Sequence, residues 1–234
     1  MLNIDIHSKK YADRELLQDI CFTLEPGTFL SIVGPSGCGK TSLLKLIASL
    51  DDDFEGSIEM DSDSIGMMFQ EPRLLPWLTV RENISVIDKI GDPEEIENLL
   101  QMVGLKHTLE MYPKNLSGGM ARRVSLVRAF INRPRLILLD EPFVSLDKPT
   151  ARALQNDLML FCKSFNPTVI LVTHDLDEAI ALSQKILFLG GQVTEEIMTH
   201  HNPTNGFETL DPMQVQSIKE NILSRHPHIL EGKL

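Results

Sequence analysis

Cysteine is scarce in this 234-residue chain: Cys21, Cys38 and Cys162 are an odd number with no C-x-x-C spacing. That excludes a disulfide framework and a thiolate zinc site, and a reducing compartment is expected. Aromatic residues are also few, with one Trp and two Tyr. Nowhere do about 18 apolar residues run together, and the opening Met1-Leu-Asn-Ile-Asp-Ile-His7 lacks a basic segment followed by an apolar one. A cytosolic chain is expected, for which any membrane role needs a partner. Bases are outnumbered, 22 Lys plus Arg against 33 Asp plus Glu, for a formal charge of −11. Such a chain gains nothing from the phosphate backbone of nucleic acid or from anionic lipid unless its bases are concentrated in one place. No internal repeat, low-complexity tract or long linker is visible, and a 42% apolar content supports a buried core, in one large domain or two small ones.

Alternation and β-branched content predict strands at Leu2–Ile6 and Ile20–Glu25, the second followed by the turn pair Pro26-Gly27. Phe29–Val33 is continuously apolar, as in a parallel strand buried on both faces, and leads through a Gly-rich turn into the helical pattern Leu43, Leu44, Leu46, Ile47. Leu136–Leu139 and Val169–Val172 are two further apolar runs, ending in Asp140-Glu141 and Thr173-His174-Asp175. Polar residues at such strand ends belong where open α/β sheets bind ligands. Between about Glu71 and Ile131 the pattern turns helical. Thr79-Val-Arg-Glu82 and Asp92-Pro93-Glu-Glu95 are capping patterns there, and Asp175-Leu-Asp-Glu178 repeats the device. Gly190-Gly191 predicts a hairpin turn, and Asp211-Pro212 opens a last helix to about Ser224.

Gly34-Pro35-Ser36-Gly37-Cys38-Gly39-Lys40-Thr41 matches G-x-x-x-x-G-K-[ST] and stands between a buried strand and a helix, the context the motif requires. Glycines let successive N–H groups turn inward toward phosphate oxygens, and the following helix adds its positive end. Lys40 can reach the β- and γ-phosphates, and the Thr41 hydroxyl can ligate Mg²⁺. An ordinary Gly-rich turn would not need Lys and Thr at those positions. Asp140 and Glu141 suit a Mg²⁺-bound water and an activated attacking water; alone, such residues are more often helix caps or solvated loop residues, and the phosphate loop beside them reverses that balance. Phosphate binding plus a base implies NTP hydrolysis, yet the loop by itself leaves kinases, GTPases and motor ATPases open.

Leu116-Ser117-Gly118-Gly119-Met120, ahead of a helix, decides among them. Here the chain resembles the ABC ATPase family, whose signature is usually LSGGQ, and the other family motifs follow in order: Gln70, Ser145-Leu-Asp147 and His174. The resemblance covers nearly the whole chain. It implies an α/β P-loop NTPase fold with a mainly parallel core sheet, an amino-terminal antiparallel β subdomain, and a helical subdomain over residues 71–131 inserted in a single ABC ATPase domain, 1–234. It implies ATP and Mg²⁺ as cofactors, held by Gly34 to Ser42 and Asp140, with Tyr11 as the aromatic that stacks on adenine. Thr41, Gln70 and Asp140 would attend the metal; Glu141, His174, Gln70 and Lys40 would carry catalysis. Two copies pack head to tail in the family, so Ser117, Gly118, Gly119 and Asp147 of one chain would complete the ATP site of the other.

The run Gln70-Glu-Pro-Arg-Leu-Leu-Pro-Trp77 resembles the importer ATPases for nitrate, sulfonate, taurine and related solutes. Sugar and polyamine importer ATPases differ there and carry a further regulatory domain for which this chain is too short. The resemblance therefore implies a peripheral subunit at the inner face of the cell membrane. It would dimerise on ATP binding and dock on transmembrane permease subunits served by an extracytoplasmic solute-binding protein, with no nucleic-acid partner. The alternatives are a soluble ABC ATPase outside transport and an exporter ATPase. Trp77 reads either as an anchor for a partner helix or as a core residue, and Tyr11 either as the adenine platform or as a plain surface or packing aromatic. Met120 removes an amide from the usual signature, with a tuned or a neutral outcome. Cys38 is expected to have a depressed pKa beside a helix amino terminus, Cys21 and Cys162 to be core residues, and His200, His201, His226 and His228 to lie in exposed loops. Charge is segregated: residues 51–63 hold seven acids and no base, while residues 111–139 hold Lys114, Arg122, Arg123, Arg128, Arg133 and Arg135 and no acid. That basic stretch is expected to raise the potential where a partner's γ-phosphate docks.

Overall fold

The computed structural model describes residues 1–11, 14–61, 64–88, 91–204 and 206–233. It divides into two compact units, one of residues 1–63 and 168–234, the other of residues 64–167.

In the first unit, strand β1 (Leu2–Tyr11) lies between β2 (Arg14–Leu24) and β4 (Glu55–Met60), antiparallel to both. Leu2, Ile4 and Ile6 alternate inward as the pleat requires. The same period puts Ile20 inside and Cys21 outside, which corrects the core assignment of Cys21. β1 runs five residues past its expected end, through His7-Ser-Lys-Lys-Tyr11, because pairing such as Ser8 with Gln18 satisfies a polar stretch that periodicity does not mark.

The second layer of this unit is β3 (Phe29–Val33), flanked by parallel β7 (Thr168–Thr173) and β8 (Lys185–Gly190), with β9 (Glu195–His201) antiparallel to β8. Every residue of β3 and β7 is buried, as their unbroken apolar runs predict. Helix α1 (Lys40–Ile47) follows β3, and α6 (Leu176–Leu182) and α7 (Pro212–Arg225) pack one face through Val33, Leu176, Ile180, Phe188, Val215, Ile222 and Ile229. The caps Asp175 and Asp211 both bond first-turn amides, and Gln214 completes the reciprocal box at Asp211. Glu178 does not complete its box with Asp175; it accepts from the Thr173 hydroxyl instead. His200 and His201 belong to β9 rather than to a loop, and His200 is half-buried.

The second unit pairs β5 (Ile65–Met68) with β6 (Leu136–Asp140) in parallel and surrounds them with helices α2 (Val80–Ser85), α3 (Pro93–Met102), α4 (Gly118–Phe130) and α5 (Lys148–Phe165). Thr79 and Glu82 form the reciprocal capping box that the sequence predicts; Asp92 caps α3 alone. Phe130, Phe161 and Phe165 fill the α4–α5 seam at ring separations of 5.0–6.1 Å. Gly66 lets β5 come up under α4, since a Cβ there would strike the Ala129 carbonyl. Among the described residues no helix is long and apolar enough to cross a membrane.

Candidate functional site

In the first unit, Gly34–Gly39 turns the chain from the carboxyl end of β3 into α1, with Gly37 and Gly39 at φ of 80° and 100°, conformations that side-chain-bearing residues resist. Gly39 is the α1 N-cap and offers no side chain, so no capping group competes for the helix's first amides. The Lys40 ammonium, only 4% exposed, lies inside the turn, 2.8 Å from the carbonyl oxygens of both Gly34 and Pro35. Thr41 is exposed and Ser42 half-buried on the first turn of α1. A loop of this shape, with a lysine at its centre and a helix amino terminus behind, is built to hold phosphate.

The loop is wedged from beneath. A Cβ on Gly34 would sit 2.7 Å from the Leu189 carbonyl oxygen, and one on Gly232 3.1 Å from Pro35 Cγ. The Gly191 amide donates to the Gly232 carbonyl at 3.0 Å, and the Thr194 hydroxyl donates to the Cys38 carbonyl. Ser36 and Gly37 stay exposed at the rim. Burial in this packing pushes the Cys38 thiol above its ordinary pKa, although the Lys40 charge pulls the other way. The expectation of a depressed Cys38 pKa is therefore corrected: desolvation outweighs the neighbouring cation and helix end.

Thr173 pairs with Val33, so His174 stands beside Gly34 at the neighbouring strand end, exposed and fixed between β7 and the α6 cap. Tyr11 closes β1 and is 61% exposed, which removes the packing alternative. The Lys9 ammonium lies 5.5 Å from its ring centre and is itself buried, bonded to Asp51 at 2.9 Å and to the Asp53 carbonyl at 2.6 Å. Burial disfavours the Lys9 charge, but these two acids outweigh it and raise its pKa. Part of the acidic segment thus neutralises a buried lysine.

In the second unit, Met68 pairs with Leu139, so Gln70 and Glu141 occupy corresponding places just beyond the carboxyl ends of β5 and β6. Asp140, 5% exposed, is the last residue of β6, and Glu141 follows in the left-handed region at φ 45°. Gln70 is exposed within a tight segment in which the Arg73 guanidinium stacks 4.1 Å from the centre of the Phe69 ring. Trp77 is 69% exposed, so its core reading is set aside. The loop that carries it is tied by buried Asn83, whose amide donates to the carbonyls of Leu75, Leu78 and Thr79 at 2.9–3.1 Å.

Helices α4 and α5 bring their amino termini to one cleft of about 570 Å³, lined by Ser117, Gly118, Gly119, Met120, Ser145, Asp147 and neighbours. Ser117 caps α4, its Oγ accepting from the Met120 amide at 3.2 Å, and keeps a hydroxyl hydrogen to give. Asp147 caps α5 through Thr150, which holds its carboxyl below the usual range. Gly119 permits the close approach: a Cβ there would lie 2.7 Å from Thr150 Cγ2.

The basic segment is not the open positive face that composition suggests. Arg122 and Arg128 turn inward onto backbone carbonyls, Arg123 pairs with Asp157 at 2.8 Å, and Arg133 pairs with Glu95 at 2.9 Å. Burial lowers the pKa of Arg122 and of Arg128, opposed for Arg122 by Glu71, while both guanidiniums keep their charge at neutral pH. Only Arg123 of the six bases lines the cleft. Side chains that hold loops from a distance, Asn83, Thr194, Arg122 and Arg128, leave no sequence motif and are found only in the structure. Among the described residues no group of three or more His, Cys, Asp or Glu is placed to hold a metal.

A phosphate loop behind a buried parallel strand and acidic residues ending another define a P-loop nucleotide-binding fold. The family model described as ABC transporter matches residues 17–144. Among curated relatives, an aliphatic sulfonates import ATP-binding protein of Pseudomonas savastanoi pv. phaseolicola is 42% identical over 201 residues, covering 84% of this chain and 85% of the relative. One of the same name from Bacillus subtilis is 39% identical over 222 residues, covering 89% and 86%. A dimeric ATP-binding cassette in a post-hydrolysis state, bound to ADP and Pi, superposes with a TM-score of 0.75 at 26% identity, covering 88% of this chain and all of that one. The chain belongs to the ABC transporter family and is an ATPase of the ABC type.

Proposed function

We propose that this ATPase is the energy-supplying subunit of an importer for aliphatic sulfonates or kindred small solutes. The observation that carries the reading is the Gly34–Thr41 loop, with Lys40 at its centre and an uncapped helix amino terminus behind it. The names of the 42% and 39% identical relatives support the sulfonate assignment. In this reading 1–234 is a single ABC ATPase domain with residues 71–131 as its helical subdomain. The loop amides, Lys40 and Ser42 bind the β- and γ-phosphates, Tyr11 stacks on adenine, and His174 contacts the γ-phosphate. Thr41, Asp140 and Gln70 are hard oxygen donors of the kind Mg²⁺ accepts, one or two from protein and the rest from phosphate and water. Held by these residues, Mg²⁺ would supply positive charge to offset the charge that develops on the transferring phosphoryl group. Glu141 draws the proton from the attacking water.

The Ser117 hydroxyl and the amides of Gly118 and Gly119 then close on the γ-phosphate held by a second copy, a dipole contact that hydrolysis removes. Exposed Trp77 docks a helix of a separate membrane permease, which places the subunit at the inner face of the membrane, with a solute-binding protein outside. The test is Glu141→Gln. It should retain MgATP binding, lose roughly 10²–10⁴-fold in turnover and accumulate as ATP-bound dimer by size-exclusion chromatography. Hydrolysis at the wild-type rate would sink the assignment of the base, and failure to co-purify with any permease would sink the transport reading.

A further inference from the structure

Five described residues of the second unit sit in the left-handed region without being glycine, and besides Arg133 and Asn166 these are Arg73, Glu141 and Ser145, at φ of 47°, 45° and 61°. Each such residue is strained and persists only where its surroundings over-determine it. Arg73, Glu141 and Ser145 lie in the loops that carry Gln70, Glu141 and Asp147. What holds these loops is one helix. Arg122 of α4, 8% exposed, donates through its two terminal nitrogens to the carbonyls of Pro142 at 2.8 Å and Val144 at 2.9 Å. Those carbonyls belong to the residue after Glu141 and the residue before Ser145. Two turns further along, Arg128 donates to the carbonyls of Pro72 at 2.7 Å and Arg73 at 2.9 Å. Each guanidinium therefore forks over a loop next to a strained residue, a geometry that lysine's single ammonium does not reproduce.

We infer that Arg122 and Arg128 are positioning residues for hydrolysis: from the signature helix, Arg122 sets the Glu141 loop and Arg128 sets the Gln70 loop. The inference rests on the proposed roles of Glu141 and Gln70. Neither arginine touches nucleotide in this scheme. Losing either fork should displace a reacting group while leaving nucleotide binding alone, and a displacement of about 1 Å costs up to roughly a hundredfold in rate. The fork on a charged donor is also the stronger kind of hydrogen bond.

The experiment uses the full chain carrying Arg122→Met, Arg128→Met, Glu141→Gln, and Glu141→Gln combined with Arg122→Met. Steady-state ATP hydrolysis and MgATP affinity are measured for each, and circular dichroism reports folding. Each arginine variant should lose roughly 10- to 100-fold in kcat with Kd for MgATP unchanged within about twofold. The double variant should be no slower than Glu141→Gln alone, because a residue that acts through Glu141 has nothing left to position. If Arg122→Met fails to fold, Arg122→Gln, which keeps one donor group, carries the test and should lose less rate at unchanged affinity. A wild-type kcat in the arginine variants, a Kd that weakens in step with kcat, or an additive loss in the double variant would overturn the inference. Normal turnover in Glu141→Gln alone would instead bring down the role of Glu141 on which it stands, so the two failures are told apart.

Discussion

The two units solve the same problem, holding polar groups still at the ends of buried parallel strands, by different means. Around the phosphate loop the means are largely backbone: glycines at positive φ, a helix with no side-chain cap, and neighbours from far along the chain pressed close enough that a single Cβ on Gly34 would lie 2.7 Å from the Leu189 carbonyl oxygen. Around Gln70 and Glu141 they are long-range and side-chain: arginines reaching 20 to 56 positions along the sequence to hold strained loops by their carbonyls. A loop that must present amide groups to phosphate is served by compact backbone packing. Loops whose side chains must be aimed are served by struts that act through charged hydrogen bonds.

The largest effect that would separate the two is Lys40→Ala. With the central ammonium gone, MgATP affinity should fall by roughly 10- to 100-fold, the loss of one charge-assisted phosphate contact of about 1.5–3 kcal/mol. Isothermal titration against the Arg122 variants would show binding lost in one unit and turnover in the other. Comparable affinity losses in both sets would erase the distinction. Next in size is Gly190→Ala. Its Cβ would run into Gly232 Cα and lie 2.5 Å from the Gly232 carbonyl oxygen, dislodging the segment that wedges Pro35. Destabilisation of about 1–3 kcal/mol is expected in a denaturant melt, with nucleotide affinity falling as well; full affinity would show that the wedge does not matter to the loop.

The smallest effect is the reactivity of Cys38. Its pKa is raised, so its thiolate is rarer at neutral pH than that of an ordinary thiol. In a Cys21→Ser background, alkylation of Cys38 should be slow near neutral pH, climb as pH rises past the ordinary thiol range, and be blocked by MgATP. Fast alkylation at pH 7 would show that the helix end dominates over burial after all.

How much was legible follows the same division. The strand Phe29–Val33, the loop after it, the Thr79 capping box and the Asp140 strand end are contiguous patterns in the sequence, and the structure reproduces them at the expected residues. The last five residues of β1 are not legible in the sequence, because this outer half is polar and is held by pairing partners, and by Lys9 reaching Asp51, 42 positions away. The basic stretch 111–139 suggests a positive surface in the sequence because composition carries no information on direction. In α4 the 100° step between successive residues sends Arg123 to the cleft rim, while Arg122 turns into the fold and Arg128 onto the carbonyls of Pro72 and Arg73. The raised pKa of Cys38 is hidden from the sequence for a related reason: proximity to a helix end is visible there, but the packing that desolvates the loop comes from residues 189–194 and 232.

By itself the sequence determined the chemistry and the family, because phosphate binding by backbone amides needs glycines, a lysine and a hydroxyl at fixed spacing, and spacing is written along the chain. Only the tertiary structure decided which charges face outward, which loops are strained and which distant side chains hold them. Those depend on burial and on hydrogen bonds between residues tens of positions apart, and no local pattern records either.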